Sequence, residues 1–84
     1  MKLTLHLSAL TDQQFSAIIF KRRLDLTDLR LIKCCNITDR GIETMTCLLK
    51  DLRSLYIEEC PRITDFSKKV VQINCGCVDF THKL

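Results

Sequence analysis

Leu26-Thr27-Asp28-Leu29-Arg30-Leu31-Ile32-Lys33-Cys34-Cys35-Asn36-Ile37-Thr38-Asp39 lies over Leu52-Arg53-Ser54-Leu55-Tyr56-Ile57-Glu58-Glu59-Cys60-Pro61-Arg62-Ile63-Thr64-Asp65 at a shift of 26 residues. Seven positions agree in kind: Leu26 with Leu52, Leu29 with Leu55, Leu31 with Ile57, Cys34 with Cys60, Ile37 with Ile63, Thr38 with Thr64 and Asp39 with Asp65. A fixed period of this length marks an array of supersecondary units. The same shift carries Leu29 and Leu31 back to Leu3 and Leu5, and Leu10-Thr11-Asp12 matches Ile37-Thr38-Asp39 once one loop residue is dropped. The single domain 1–84 thus divides into repeats of about 1–25, 26–51 and 52–77, with a partial C-terminal turn 78–84 where alternation resumes at Val78 and Phe80.

Each unit reads as strand, turn, helix and return. Leu29 and Leu31 alternate with Asp28, Arg30 and Ile32, so the two sets point to opposite faces of a short strand. After the turn, Thr38 or Asp39 can cap a helix on which Ile42, Met45, Leu49 and Leu52 recur at helical spacing. The first repeat repeats this with Thr11 or Asp12 at the cap and Phe15, Ile18 and Ile19 facing inward over Gln13 to Arg23; in the third, Phe66, Val70 and Ile73 mark a shorter or frayed helix. One such unit cannot bury its apolar face alone, whereas stacked units can. The stacking ladder is Leu29, Leu31, Cys34 and Ile37 beneath Leu55, Ile57, Cys60 and Ile63. The fold expected is α/β: a short right-handed solenoid of about three repeats, with a parallel β-sheet on the concave face and helices on the convex face.

The units Leu26-x-x-Leu29-x-Leu31-x-x-Cys34-x-x-Ile37-Thr38-Asp39-x-Gly41 and Leu52-x-x-Leu55-x-Ile57-x-x-Cys60 resemble the cysteine-containing class of leucine-rich repeats. The third repeat departs from that pattern with Phe66-Ser67 in place of x-Gly, and the first has Ser8 in the cysteine position. The resemblance implies a protein-protein interaction module. Proteins of this class include the substrate-recognition arrays of F-box proteins in SCF-type ubiquitin ligases. Short proteins such as the mitochondrial ATP synthase subunit-s (coupling factor B) and the distal membrane-arm assembly proteins are also similar. An adaptor implies an intracellular location, cytoplasmic or nuclear; the subunit-s type implies a mitochondrial one.

Composition narrows the classes further. With 46% hydrophobic and 27% charged residues the chain has the make-up of a folded domain, and a formal charge of +3 without long charge blocks argues against nucleic acid as partner. No apolar run reaches the roughly 18 to 20 residues of a membrane-spanning helix. Six cysteines would suit a disulfide scaffold, yet two glycines and one proline are few for one, so reduced thiols are expected. Cys75-Gly76-Cys77 with His82, joined by Cys60, is a weak match to zinc-ligand spacing, and no metal or other cofactor is expected. It does keep a thiol- or zinc-responsive protein open as a further class. No nucleophile elbow, phosphate-binding glycine loop or metalloprotease motif occurs, and no enzyme activity is expected. The basic clusters Lys21-Arg22-Arg23 and Lys68-Lys69 are assigned to helix C-terminal turns, where they complement the dipole. Cys34→Ser is expected to destabilise by leaving a buried hydroxyl unsatisfied.

The repeat places three outward columns on the concave face: Lys2, Asp28 and Ser54; Thr4, Arg30 and Tyr56; His6, Ile32 and Glu58. Arg30 beside Tyr56 is the pairing most enriched at binding hot spots, and Ile32 supplies an apolar anchor. Thr4, His6, Asp28, Arg30, Ile32, Ser54, Tyr56 and Glu58 are therefore the expected partner-binding residues. Both ends of such a stack expose a sheet edge, which implies a fragment or isoform, or capping by a neighbouring subunit or by self-association.

Overall fold

The computed structural model describes residues 1–76 and 78–83. The alternating stretches form four strands, β1 (Lys2–Leu5), β2 (Asp28–Ile32), β3 (Ser54–Glu58) and β4 (Asp79–Lys83), paired in parallel in the order of the chain. Parallel neighbours need a crossover, and α1 (Asp12–Arg22), α2 (Asp39–Leu48) and α3 (Asp65–Cys75) supply it. The fold is α/β. The register sets Leu3, Leu29, Leu55 and Phe80 in one row and Leu5, Leu31, Ile57 and His82 in the next. Apart from His82, these rows share one apolar cluster with Phe15 and Ile19 of α1, Ile42 and Met45 of α2 and Val71 of α3, so the helices cover one sheet face. Among the described residues no helix lies on the other face. No helix among the described residues is long and apolar enough to cross a membrane.

The C-terminal stretch is more regular than its sequence suggests. The partial turn is a complete strand, β4, whose offset from β3 is one residue shorter than the repeat (Ser54↔Asp79). Helix α3 spans 11 residues, as many as α1, rather than being short. Its buried residues are Ser67, Val70 and Val71, while Phe66 and Ile73 are exposed at 54% and 81%. Helix α2 stops at Leu48, and Leu49, already extended, and Leu52 are buried by the return to β3 rather than by a helix. Lys21 and Arg22 do lie in the last turn of α1, but the last turn of α3 has no basic residue, so Lys68 and Lys69 do not complement its dipole.

The threonines, not the aspartates, cap the helices. Thr11, Thr38 and Thr64 are extended, and their hydroxyls accept from the N–H groups of Gln14, Arg40 and Phe66. Asp12 and Asp39, which follow two of these caps, are thereby released to reach across to the next unit. Asp12 accepts from Thr38 N at 2.8 Å and Thr38 Oγ1 at 2.5 Å, and Asp39 accepts from Thr64 N at 2.7 Å and Thr64 Oγ1 at 2.6 Å. Ser67 Oγ adds a further donor to Asp39. Every helix start after the first is thus tied to the unit before it.

Burial raises the Asp39 carboxyl pKa, but hydrogen bonds from Ser67 and from the Thr64 side chain and backbone outweigh it and leave the group below its ordinary range. A depressed folded value means the unfolded chain takes up the proton first as pH falls. The stability this carboxylate confers is present above the ordinary carboxylate range, about pH 4, and is lost as pH falls through the folded value. Urea titrations between neutral and acid pH are expected to show a steeper acid loss for wild type than for Asp39→Asn; parallel curves would refute the role.

Leu29, Leu31, Cys34, Ile37, Leu55, Ile57, Cys60 and Ile63 are all at most 1% exposed. Cys34 and Cys60 connect neighbouring turns through hydrogen bonds as well as packing. Cys34 N donates to Cys60 Sγ at 3.3 Å, Cys60 Sγ donates to Leu31 O at 3.6 Å, and Cys34 Sγ donates to Leu5 O at 3.5 Å. A serine at position 34 carries a shorter side chain than the cysteine, so its hydroxyl stands farther from Leu5 O than the thiol does, and Cys34→Ser is still expected to destabilise. The informative change is Cys60→Ala, which orphans the buried Cys34 N–H. A loss of about 1 to 3 kcal/mol is expected in chemical denaturation, with Cys60→Ser retaining more stability; equal losses would show packing alone matters.

Candidate functional site on the open sheet face

The uncovered face is built by strand alternation. Residues between the inward leucines must point away from the helices, and pairing sets them beside one another: Lys2, Asp28, Ser54 and Asp79 in one row, Thr4, Arg30, Tyr56 and Thr81 in the next, then Ile32, Glu58 and Lys83. His6 follows the last paired residue of β1 and is exposed outside these rows. Thr4 and Arg30 are exposed, whereas Asp28, Ile32, Ser54, Tyr56 and Glu58 are half-buried. Ile32 is thus less open than an exposed anchor would be.

Tyr56 is the centre of this surface. The Arg30 guanidinium carbon stands 4.7 Å from its ring centroid and Lys83 Nζ 5.6 Å from it, both within cation–π range. Its hydroxyl donates to Glu58 Oε1 at 2.5 Å. One aromatic ring therefore has two cationic neighbours and an anchored polar tip, so little side-chain freedom is left to lose on binding. Lys2, Asp28, Arg30, Ser54, Tyr56, Asp79 and Thr81 line a depression of about 320 Å³. Both signs of charge line it, so it fits a partner of mixed polarity rather than a polyanion.

Three contributors, Asp79, Thr81 and Lys83, were not among the residues expected from the repeat. The signal that could have found them is the alternation of Val78, Phe80 and His82, obscured because the last offset shortens by one residue. The same alternation turns His82 inward behind Ile57. Its side chain is 10% exposed, Nδ1 stands 3.8 Å from Asp65 Oδ1, and Nε2 has no hydrogen-bond partner among the described residues.

A larger hollow, about 510 Å³, lies where the chain leaves the strands, lined by Ser8, Lys33, Cys35, Glu59, Cys60 and Pro61. Lys33 and Glu59 occupy the left-handed region at φ 53° and 52°, and their side chains pair at 3.7 Å in solvent. The walls are mostly apolar, and Cys35 Sγ is turned onto Lys33 O at 3.6 Å. Its charged side chains, Lys33 and Glu59, pair with each other at the solvent surface.

Cys60 and Cys75 are poorly placed for chemistry. Burial pushes the Cys60 thiol up to about 11, and burial also raises Cys75, whose sulfur points at Thr46 O and Leu49 O. Neither is an activated thiolate. The Cys75-Gly76-Cys77 cluster with His82 includes Cys77, which lies outside the described residues; among the described residues no three potential ligands come together. No family model matches the chain, and no curated protein is significantly similar to it.

Proposed function

We propose that this chain is a non-enzymatic protein-protein interaction module of leucine-rich-repeat type, a short right-handed solenoid that captures a protein partner on its open, concave sheet face. The observation that carries this reading is the Arg30–Tyr56–Lys83 cluster, spread over β2, β3 and β4 on a face that no helix among the described residues covers. Arginine and tyrosine dominate binding hot spots because they offer large, stiff contact area with polar ends. Here both stand on paired strands, so their positions are preset by the sheet. Thr4, Asp28, Ser54, Asp79 and Thr81 form the polar rim, and Ile32 adds apolar area. The absence of an activated thiol at Cys60 or Cys75 favours this reading over a redox one.

An adaptor acting in an SCF-type ubiquitin ligase and a mitochondrial factor of the subunit-s type are the two roles open to such a module, and they differ in partner. The test is affinity capture of the tagged chain from its native cell, wild type beside Arg30→Ala with Tyr56→Ala, with partners identified by mass spectrometry. Loss of the captured partner by about tenfold or more, with an unchanged circular dichroism melt, is the expected result. Ubiquitin-ligase components among the lost partners assign the adaptor role, and ATP synthase or respiratory-complex subunits assign the mitochondrial one. Partners indifferent to the double substitution would refute the face.

A further inference from the structure

The two edges of the sheet are unlike each other in a way that matches them. In α2 and α3 the N–H of the capping threonine is held by an aspartate of the preceding unit, Asp12 or Asp39. In α1 the equivalent N–H of Thr11 is taken by Gln14 Oε1 at 3.2 Å, within the same helix start. At the opposite end Asp65 occupies the place of Asp12 and Asp39, its side chain 94% exposed, and no threonine approaches it among the described residues. One edge offers an acceptor awaiting a Thr-type helix start, and the other offers such a start. Gln14 stands where Ser67 stands in α3, and Ser67 Oγ donates to Asp39, so the Gln14 amide can donate to Asp65 in the same manner.

The strands agree. Asp79 N bonds to Arg53 O and Glu59 N to Lys83 O, so Asp79, Thr81 and Lys83 use their backbone groups toward β3 and leave those of Phe80 and His82 at the free edge. Asp28 N bonds to Met1 O, so the N–H and C=O groups of Lys2 and Thr4 face away from β2. Pairing β4 with a second β1 in the register Asp79 to Lys2 and Thr81 to Thr4 brings these free groups opposite one another. It also keeps Phe80 beside Leu3 on the inner face, and sets the Asp79 carboxylate beside the Lys2 ammonium, as Asp28 stands beside Lys2 within one molecule. Neither strand contains a proline to block it.

We propose that the β4 edge of one molecule docks, head to tail, on the β1 edge of a second copy of this chain, continuing the parallel sheet across the junction. The contact is heterologous, so it extends into open chains rather than closing as a dimer. It joins the sheet edges through backbone groups, with Lys2 and Asp79, which also line the depression on the open face, setting the charge pairing; sedimentation of the isolated chain reads assembly apart from capture of a partner.

Sedimentation velocity over a wide concentration range tests it. Wild type is expected to show a continuously rising weight-average sedimentation coefficient. Lys2→Asp alone and Asp79→Lys alone each set like charges opposite and are expected to weaken assembly about a hundredfold. An equimolar mixture of the two variants restores complementary charges at every junction and is expected to assemble like wild type. Thr4→Pro, which removes only a free-edge N–H, is expected to stay monomeric with a native circular dichroism spectrum. A wild type that remains monomeric throughout, a discrete dimer insensitive to both reversals, or a mixture no better than its components would overturn the proposal.

Discussion

Replacing Leu31 by alanine is expected to destabilise the chain by about 2 to 5 kcal/mol, the range for truncating a fully buried leucine. Leu31 is 0% exposed in β2, held between Leu5 of β1 and Ile57 of β3. Strands on both sides fix its backbone, and helices close the space above, so the cavity cannot easily collapse. An 84-residue domain has a total stability of only about 4 to 13 kcal/mol, so this one side chain is a large share of it. The measurement is the midpoint of urea unfolding. Leu24→Ala is the control, because Leu24 is 81% exposed and its removal is expected to cost less than about 0.5 kcal/mol. Equal effects of the two would contradict the inner and outer faces assigned to the chain.

Gly41→Ala is expected to be the second large loss, about 1 to 3 kcal/mol, although alanine is the better helix former. Gly41 is buried in the first turn of α2, and a Cβ there would collide with the Asp12 carboxylate. That carboxylate holds both the N–H and the hydroxyl of Thr38, so moving it aside breaks the tie between α1 and α2. Gly41→Ser distinguishes this account from simple crowding. In α3 the same position is Ser67, whose hydroxyl donates to Asp39, so a serine at 41 is expected to recover part of the loss that alanine causes. Thermal melts of the three proteins give the order wild type, Ser, Ala. A serine variant less stable than the alanine one would rule the aspartate tie out.

The registers of β2 with β3 and β1 with β2 were legible because inward leucines recur at one shift, and a slip of one residue would turn every one of them to the wrong face. The position of β4 was not, because its offset differs by one residue and its inward row ends in Phe80 and His82 rather than leucines. The length of α3 is hidden in the sequence for a related reason. Phe66 and Ile73 suggest an apolar stripe, but the residues buried against α2 are the small Ser67 and the adjacent pair Val70 and Val71. Apolar spacing cannot announce a face that is buried by a serine.

By itself, then, the sequence determined which residues alternate, where each Thr-Asp pair begins a helix to within one residue and which cysteines are inward, because burial of a periodic apolar set leaves one arrangement of each unit. Tertiary structure alone decided what passes between units. Thr-Asp repeated along the chain reads as a choice of cap, and only stacking shows that Thr closes its own helix while Asp reaches forward to the next. Likewise Arg30, Tyr56 and Lys83 are distant in sequence, and their meeting around one ring depends on strand order and register. Hydrogen bonds and cation–π contacts act over a few ångströms, so they are properties of the packed array and not of any single repeat.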